Sequence, residues 1–348
     1  MGTAAAQWTG GPPPNKPDKT KWILGGVALV AIIALAIVGT MHFTRPDAGA
    51  SNADAPGNNT HTEFASADDT GPAGIITDDS TCEAWRTISH DMEAVSDAVK
   101  WNEQDYSVPA TQWNPDQRAA FEKKRTALTA AMPNVADLAK QTPHRVMREL
   151  YGQYIAYSQA WIDAMPTYSP PDNYTVAASN VFYTALNRVC DAIYFRGAQQ
   201  TAPLIATASP PSDAQAPSSD SASRPGRFLS DNHGTCGDWM ALVTRFDHDP
   251  RADAWADLDP NIAVAEWSPE YKAVVDAVLP LLVAYADDME RLGRDSGNPV
   301  WEDFAVLAAQ YVRAYIEAAP TFSPNYADMT LTATAVANAI NWACKAQS

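Results

Sequence analysis

The stretch Pro166-Thr167-Tyr168-Ser169-Pro170 returns as Pro320-Thr321-Phe322-Ser323-Pro324, at an offset of 154 residues. Working outward, the same offset pairs Tyr157 with Tyr311, Asn187 with Asn341 and Pro115 with Pro269. It also pairs Trp85, Trp101 and Trp113 with Trp239, Trp255 and Trp267, and Thr81-Cys82 with Thr235-Cys236. Cys190 and Cys344 close the register without a gap. Chance does not put three tryptophans, two cysteines and a five-residue segment in one register, so the chain carries two copies of one unit. Roughly 110 residues per copy is a normal size for one hydrophobic core.

Helix signals recur as well. Asn114-Pro115-Asp116 supplies an N-cap, a proline at the first helical position and an acid near the positive helix end; Ser268-Pro269-Glu270 repeats it. Thr142-Pro143 and Asn298-Pro299 open the next helix, and Pro166 and Pro320 end it. Val274, Val278, Leu281, Leu282 and Tyr285 share one helical face, as do Phe304, Leu307, Ala308, Tyr311 and Tyr315. The expectation is an all-α fold of two tandem helical bundles with about four helices each. The helices fall at 81–100, 115–140, 143–165 and 171–194, then at 235–248, 269–293, 299–319 and 325–345. Repeat 1 covers 81–194 and repeat 2 covers 235–348. A Pro-, Ser- and Ala-rich linker at 195–234 has few apolar residues to bury, which predicts a flexible tether.

Four cysteines allow three pairings. The repeat selects one, because each copy holds its own pair: Cys82–Cys190 and Cys236–Cys344. Each bond would staple the first helix of a bundle to its last. The chain has no CxxC and no short ligand spacing, so neither redox chemistry nor a zinc site is expected. No cofactor is called for.

Trp22 to Met41, WILGGVALVAIIALAIVGTM, is a run without one charge. At a rise of 1.5 Å per residue its length is about that of the hydrocarbon core, about 30 Å. Lys16, Lys19 and Lys21 precede it and only Arg45 follows closely. The positive-inside bias then makes 1–21 a short cytoplasmic tail, 22–41 a single transmembrane helix and 42–80 a disordered extracytoplasmic stalk, whose Ile75 and Ile76 are the residues apolar enough to dock onto the first repeat. The rival is a signal peptide cleaved at Ala48-Gly49-Ala50, but that site lies well past the apolar run. The expected location is the plasma membrane, with the bulk of the chain outside, where cysteines oxidise.

The chain has 348 residues, 24 Lys+Arg and 41 Asp+Glu, for a net charge of -17. Phosphate binding needs clustered bases, so nucleic acid is excluded as a main partner. The two copies differ: between their cysteines the net charge is -2 in the first and -11 in the second.

Candidate chemistry is sparse. Tyr154, Tyr157 and Trp161, with Tyr311 and Tyr315 in the second copy, form helical stripes. They suit either a ligand groove or a core face, and the core is favoured because Tyr154 becomes Ala308 in the second copy. Asp257-x-Asp259-x-Asn261 opens like a calcium loop within the acidic stretch 247–261. However, Ile262 and Ser268 stand where the glycine and the glutamate belong. Lys123, Lys124, Arg125, Arg145 and Arg148 make the first copy the candidate anion or headgroup contact, although a set of solvated helix faces is the favoured reading. There is no GxSxG, HExxH or GxxxxGK[ST], and the six histidines are scattered.

The Ala-, Asp-, Pro- and Trp-rich composition resembles that of envelope proteins of high-GC Gram-positive bacteria. The resemblance covers no motif and implies no activity. The reading that follows is a membrane-anchored, extracytoplasmic, non-enzymatic binding protein of the bacterial cell envelope. Its partner would be an envelope component or a membrane protein. A carrier or sensor holding a lipid or other small apolar ligand in a bundle is the alternative, and an envelope hydrolase the remote one.

Overall fold

The computed structural model describes residues 63–213, 225–230 and 233–347, which lie in one compact unit. The expected tail, the span 22–41, the Ala48-Gly49-Ala50 site and the stalk up to residue 62 lie outside the described residues. Among the described residues no helix is long and apolar enough to cross a membrane.

Helices α1 (Cys82–Ala98), α2 (Pro115–Gln141), α3 (Arg145–Ala164) and α4 (Asn173–Tyr194) build the first copy. A short α5 (Gly197–Thr201) follows. The second copy comprises α6 (Cys236–Asp247), α7 (Pro250–Ala256), α8 (Pro269–Asp295), α9 (Pro299–Ala318) and α10 (Ala327–Lys345). Among the described residues there is no strand. Every expected helix is present, each end within two residues of its expected place. The caps act as their chemistry requires. The Asn114 side chain accepts from the Gln117 N–H at 2.8 Å, and Ser268 Oγ accepts from the Tyr271 N–H at 3.1 Å.

Two of these helices lie outside the expected set, the short α5 within the expected linker and α7. The acidic stretch after α6 was read as a loop, yet it contains α7. Asp249 accepts from the Arg251 N–H at 2.9 Å and Pro250 takes the first helical position. Ser96 stands at the equivalent place in the first copy, so α1 runs on unbroken to Ala98.

Both disulfides are as expected, Cys82–Cys190 and Cys236–Cys344, each closing a separation of 108 residues. The PTYSP segment and its repeat do the same work twice. The Ala110 N–H donates to Tyr168 O at 2.8 Å, and the Val264 N–H to Phe322 O at 3.1 Å. Trp113 Nε1 donates to Val108 O and Trp267 Nε1 to Ile262 O, both at 2.9 Å.

The two copies share one hydrophobic core, in which Phe182 and Phe304 bring their rings to 5.7 Å across the seam. Helix α4 packs along α10, and α3 meets α9. These are equivalent helices, so the copies are related by an approximate two-fold axis. Two contacts show it. Arg188 Nη1 lies 3.8 Å from Asp328 Oδ1; the repeat-related positions are Trp342 and Tyr174, whose rings lie 6.0 Å apart. A contact in one direction is answered by the equivalent residues in the other, as a two-fold requires.

The linker therefore differs from its expected form. Residues 195–213 and 225–230 pack onto the helices. Helix α5 lies against the second copy: a Cβ on Gly197 would run into the Asn325 carbonyl oxygen, and Thr201 Oγ1 lies 3.1 Å from Met329 Sδ. Arg294 donates to Ser209 O at 3.0 Å, Ser212 is bonded to the Glu302 carboxylate, and Leu229 is buried. The stalk also differs over residues 63–80, where Phe64 and Ala73 are buried, while Ile76 is buried as its apolar side chain predicts. Composition counts what a segment can bury by itself. These segments are covered by apolar surface that the copies supply.

Candidate functional site

Each copy is preceded by a strap, residues 63–80 and 225–230, and the repeat register makes Ile75 the counterpart of Leu229. Both straps run beside the seam between α3 and α9, which holds the buried Arg145, Arg148, Gln153, Glu302 and Asp303.

The first strap is held by arginines at the start of α3. Arg145 donates to Asp69 O at 2.7 Å and to Gly71 O at 2.9 Å, while its own N–H reaches Asp69 Oδ2 at 2.6 Å. The same guanidinium makes a two-pronged pair with Asp303 of α9, Nε to Oδ2 at 2.6 Å and Nη2 to Oδ1 at 2.8 Å. Arg145 and Asp303 are almost wholly buried, with side chains 2% and 4% exposed. Arg148 donates to Ser66 Oγ at 2.9 Å. Glu149, the repeat-counterpart of Asp303, lies beside it. Burial first, and the Asp303 carboxylate second, hold the Glu149 carboxyl well above its usual range.

Amide side chains hold the second strap, and they do so through its main chain. Gln153 Nε2 donates to Gly226 O at 3.1 Å, and Gln153 Oε1 accepts from the Phe228 N–H at 2.9 Å. Asn298 Nδ2 donates to Phe228 O and Gln347 Nε2 to Leu229 O, both at 2.7 Å. The Phe228 ring sits among Phe304, Phe182 and Trp301, with centroids at 5.7, 6.3 and 6.4 Å. The Arg227 guanidinium lies over the Tyr157 ring at 5.9 Å. Trp301 is fully buried, and its Nε1 finds no acceptor among the described residues.

The residues singled out from sequence fall elsewhere. Tyr154, Tyr157, Trp161, Tyr311 and Tyr315 are buried in the packed core instead of lining an open groove. Trp85 meets Tyr154 edge-on at 5.6 Å, and Trp255 Nε1 donates to Tyr315 Oη at 2.9 Å. The same burial corrects the anion-contact reading. Arg145 and Arg148 are internal, and Lys124 donates to Ser96 Oγ at 2.6 Å under Trp101, where burial lowers its pKa to about 8. The acidic stretch does not gather as a calcium loop: Asp249 is tied to Arg251, and Asp259 Oδ1 accepts from Asn261. Among the described residues no group of three or more His, Cys, Asp or Glu is placed to hold a metal ion. His144 and His248 contact backbone carbonyls, His233 accepts from the Thr235 N–H, and His90 lies by Asp91.

Sequence reasoning missed Gln153, Gln347 and Phe228, read Asn298 only as the opening of a helix, and did not pair Arg145 with Asp303. Their signal was weak: none recurs at the 154 offset, because an approximate two-fold lets each position meet something different on the other side.

Fold and seam together define an all-α protein made of two disulfide-stapled repeats closed around one core. Residues 64–348 match the family described as mycobacterial ESX-1 associated protein, and the chain belongs to that family. A protein of Mycolicibacterium smegmatis (strain MKD8), described as uncharacterized, is 36% identical over 342 residues, which covers 97% of this chain and 89% of the relative. No solved structure matches. The family match begins at the first strap, so the strap belongs to the matched region along with both repeats.

Proposed function

We propose that this protein is a membrane-anchored, extracytoplasmic, non-enzymatic interaction protein that serves the ESX-1 secretion system. The observation that carries the reading is the family match over both repeats and the first strap. Two others support it. Both disulfides are closed, which suits an oxidising compartment outside the cytoplasm. The second copy concentrates negative charge, and on α7 and after it Asp253, Asp257, Asp259, Glu266 and Glu270 are exposed, a surface that favours a basic partner over anionic lipid.

In-cell crosslinking in a mycobacterium, followed by mass spectrometry of the full-length protein from its own envelope, tests the reading. The expected neighbours are components or substrates of ESX-1, linked mainly through the second copy. Recovery of unrelated envelope proteins alone would overturn it. A mature N-terminus at Ser51 would remove the anchor while leaving the interaction reading in place.

A further inference from the structure

The second strap is held in the manner of a bound peptide. Among the described residues four hydrogen bonds fix residues 226–229, and each of these goes to a main-chain N–H or C=O. The amides that make them come from three places, Gln153 on α3, Asn298 at the start of α9 and Gln347 just past α10. The Gln153 side chain engages Gly226 O and Phe228 N, the two groups that flank Arg227 on one edge of the chain. Main-chain pairing of this kind supplies affinity without regard to sequence, and the pockets beneath supply specificity. Here the pockets take an aromatic ring at Phe228 and an aliphatic side chain at Leu229, which is only 2% exposed. Gly226 and Ser230 are exposed and Phe228 is half-buried, so the strap lies along an open edge of the seam.

The fit is incomplete. Trp301 meets the Phe228 ring edge-on, and its buried Nε1 has no acceptor among the described residues. A buried donor left unpaired carries its full desolvation penalty. A segment that offers it a carbonyl gains a hydrogen bond the strap does not make.

We propose that the seam between α3 and α9 is a peptide-binding groove held in cis by residues 225–230, and that its partner is an extended polypeptide segment with an aromatic residue followed by an aliphatic one. The partner segment displaces the strap and pairs with Gln153, Asn298 and Gln347 through its own main chain. This inference rests on the interaction-protein reading and gives that reading a site and a ligand class.

The test uses the full chain with both disulfides closed and a fluorescent peptide of residues 224–231. Its control carries Phe228→Ala and Leu229→Ala. The same two substitutions in the protein empty the groove. The emptied protein is expected to bind the peptide at least tenfold more tightly than the natural chain does, and not to bind the control. Adding Gln153→Ala to it should weaken binding several-fold. Equal weak binding of both peptides to both proteins, each with native helicity, overturns the proposal.

If the emptied protein fails to fold, hydrogen exchange on the natural chain decides. The amides of Phe228 and Leu229 must exchange at least a hundredfold faster than the buried amides of α3 and α9, and exchange only by global unfolding overturns the proposal. Chains paired through each other's straps, seen as a concentration-dependent doubling of mass, overturn the foreign segment in favour of a second copy. Peptide binding without ESX-1 neighbours in cells removes the functional reading and keeps the groove; the converse removes only the groove.

Discussion

Arg145→Ala tests the shared core most directly. The substitution leaves the Asp303 carboxylate buried in the second copy without its two charge-assisted hydrogen bonds, and it frees the Asp69 and Gly71 carbonyls of the first strap. Breaking a buried pair by removing one partner costs about 3–5 kcal/mol, since the remaining charge is left uncompensated. The reverse change, Asp303→Ala, leaves Arg145 its two carbonyls and a carboxylate at 3.9 Å, so its cost belongs at the lower end, about 3 kcal/mol. With both groups gone no buried charge is stranded. The double variant should therefore fall short of the summed costs by about 2 kcal/mol, within the usual range for residues in contact. Urea unfolding with the disulfides closed, followed by tryptophan fluorescence and circular dichroism, measures all three variants. One shared core predicts a single transition that moves as a whole in each. A cost for Arg145→Ala below about 1 kcal/mol refutes the argument, as does a separate second-copy transition that the substitution leaves in place.

Three further outcomes follow from other parts of the fold. Burial first, then the neighbouring Asp191 carboxylate, pushes the Asp328 pKa up to about 7, against the offset of Arg188. Its folded form thus binds a proton more tightly than the unfolded chain, whose value is near 3.8. Stability should fall as pH rises between these values, by at most about 1.4 kcal/mol per pH unit, and then level off; Asp328→Asn should flatten the profile in urea titrations from pH 4 to 8. Gly197→Ala should cost about 1–3 kcal/mol, read as a lowered melting temperature, because the new methyl meets a backbone oxygen that cannot retreat. Replacing Cys82 and Cys190 together with serine should remove roughly 4–5 kcal/mol by the chain-entropy estimate, and the same change at Cys236 and Cys344 should match it, since both loops are equally long.

Much of this architecture is legible in the sequence because the repeat records it twice. The 154-residue offset finds the helices and pairs the cysteines, since local signals such as Asn114-Pro115 and Ser268-Pro269 are carried by adjacent residues. Helix α7 was also within reach, as Asp249-Pro250 is the same signal once more. What escapes is everything that depends on which faces meet. Residues 195–213 and 225–230 look like a tether because proline, serine and alanine bury little of their own surface; the covering comes from Met329, Trp301 and Phe304 far along the chain. The aromatic stripe was assigned to the core on the loss of Tyr154 at Ala308, and it packs there. The groove around Phe228 was invisible, because single amides such as Gln153 and Gln347 carry no pattern until the fold brings them together.

A pair of identical chains must write each contact twice in the same letters. Here Arg188 faces Asp328 at one end of the axis, while Tyr174 faces Trp342 at the other. Self-association of the second half would set Asp328 against Trp342 at both ends and place Asp303 opposite itself, with Pro299 where Arg145 now stands. The first half alone would set Tyr174 against Arg188 at both ends. Covalent linkage has let the two sides specialise into lock and key, and neither has kept the means to replace the other.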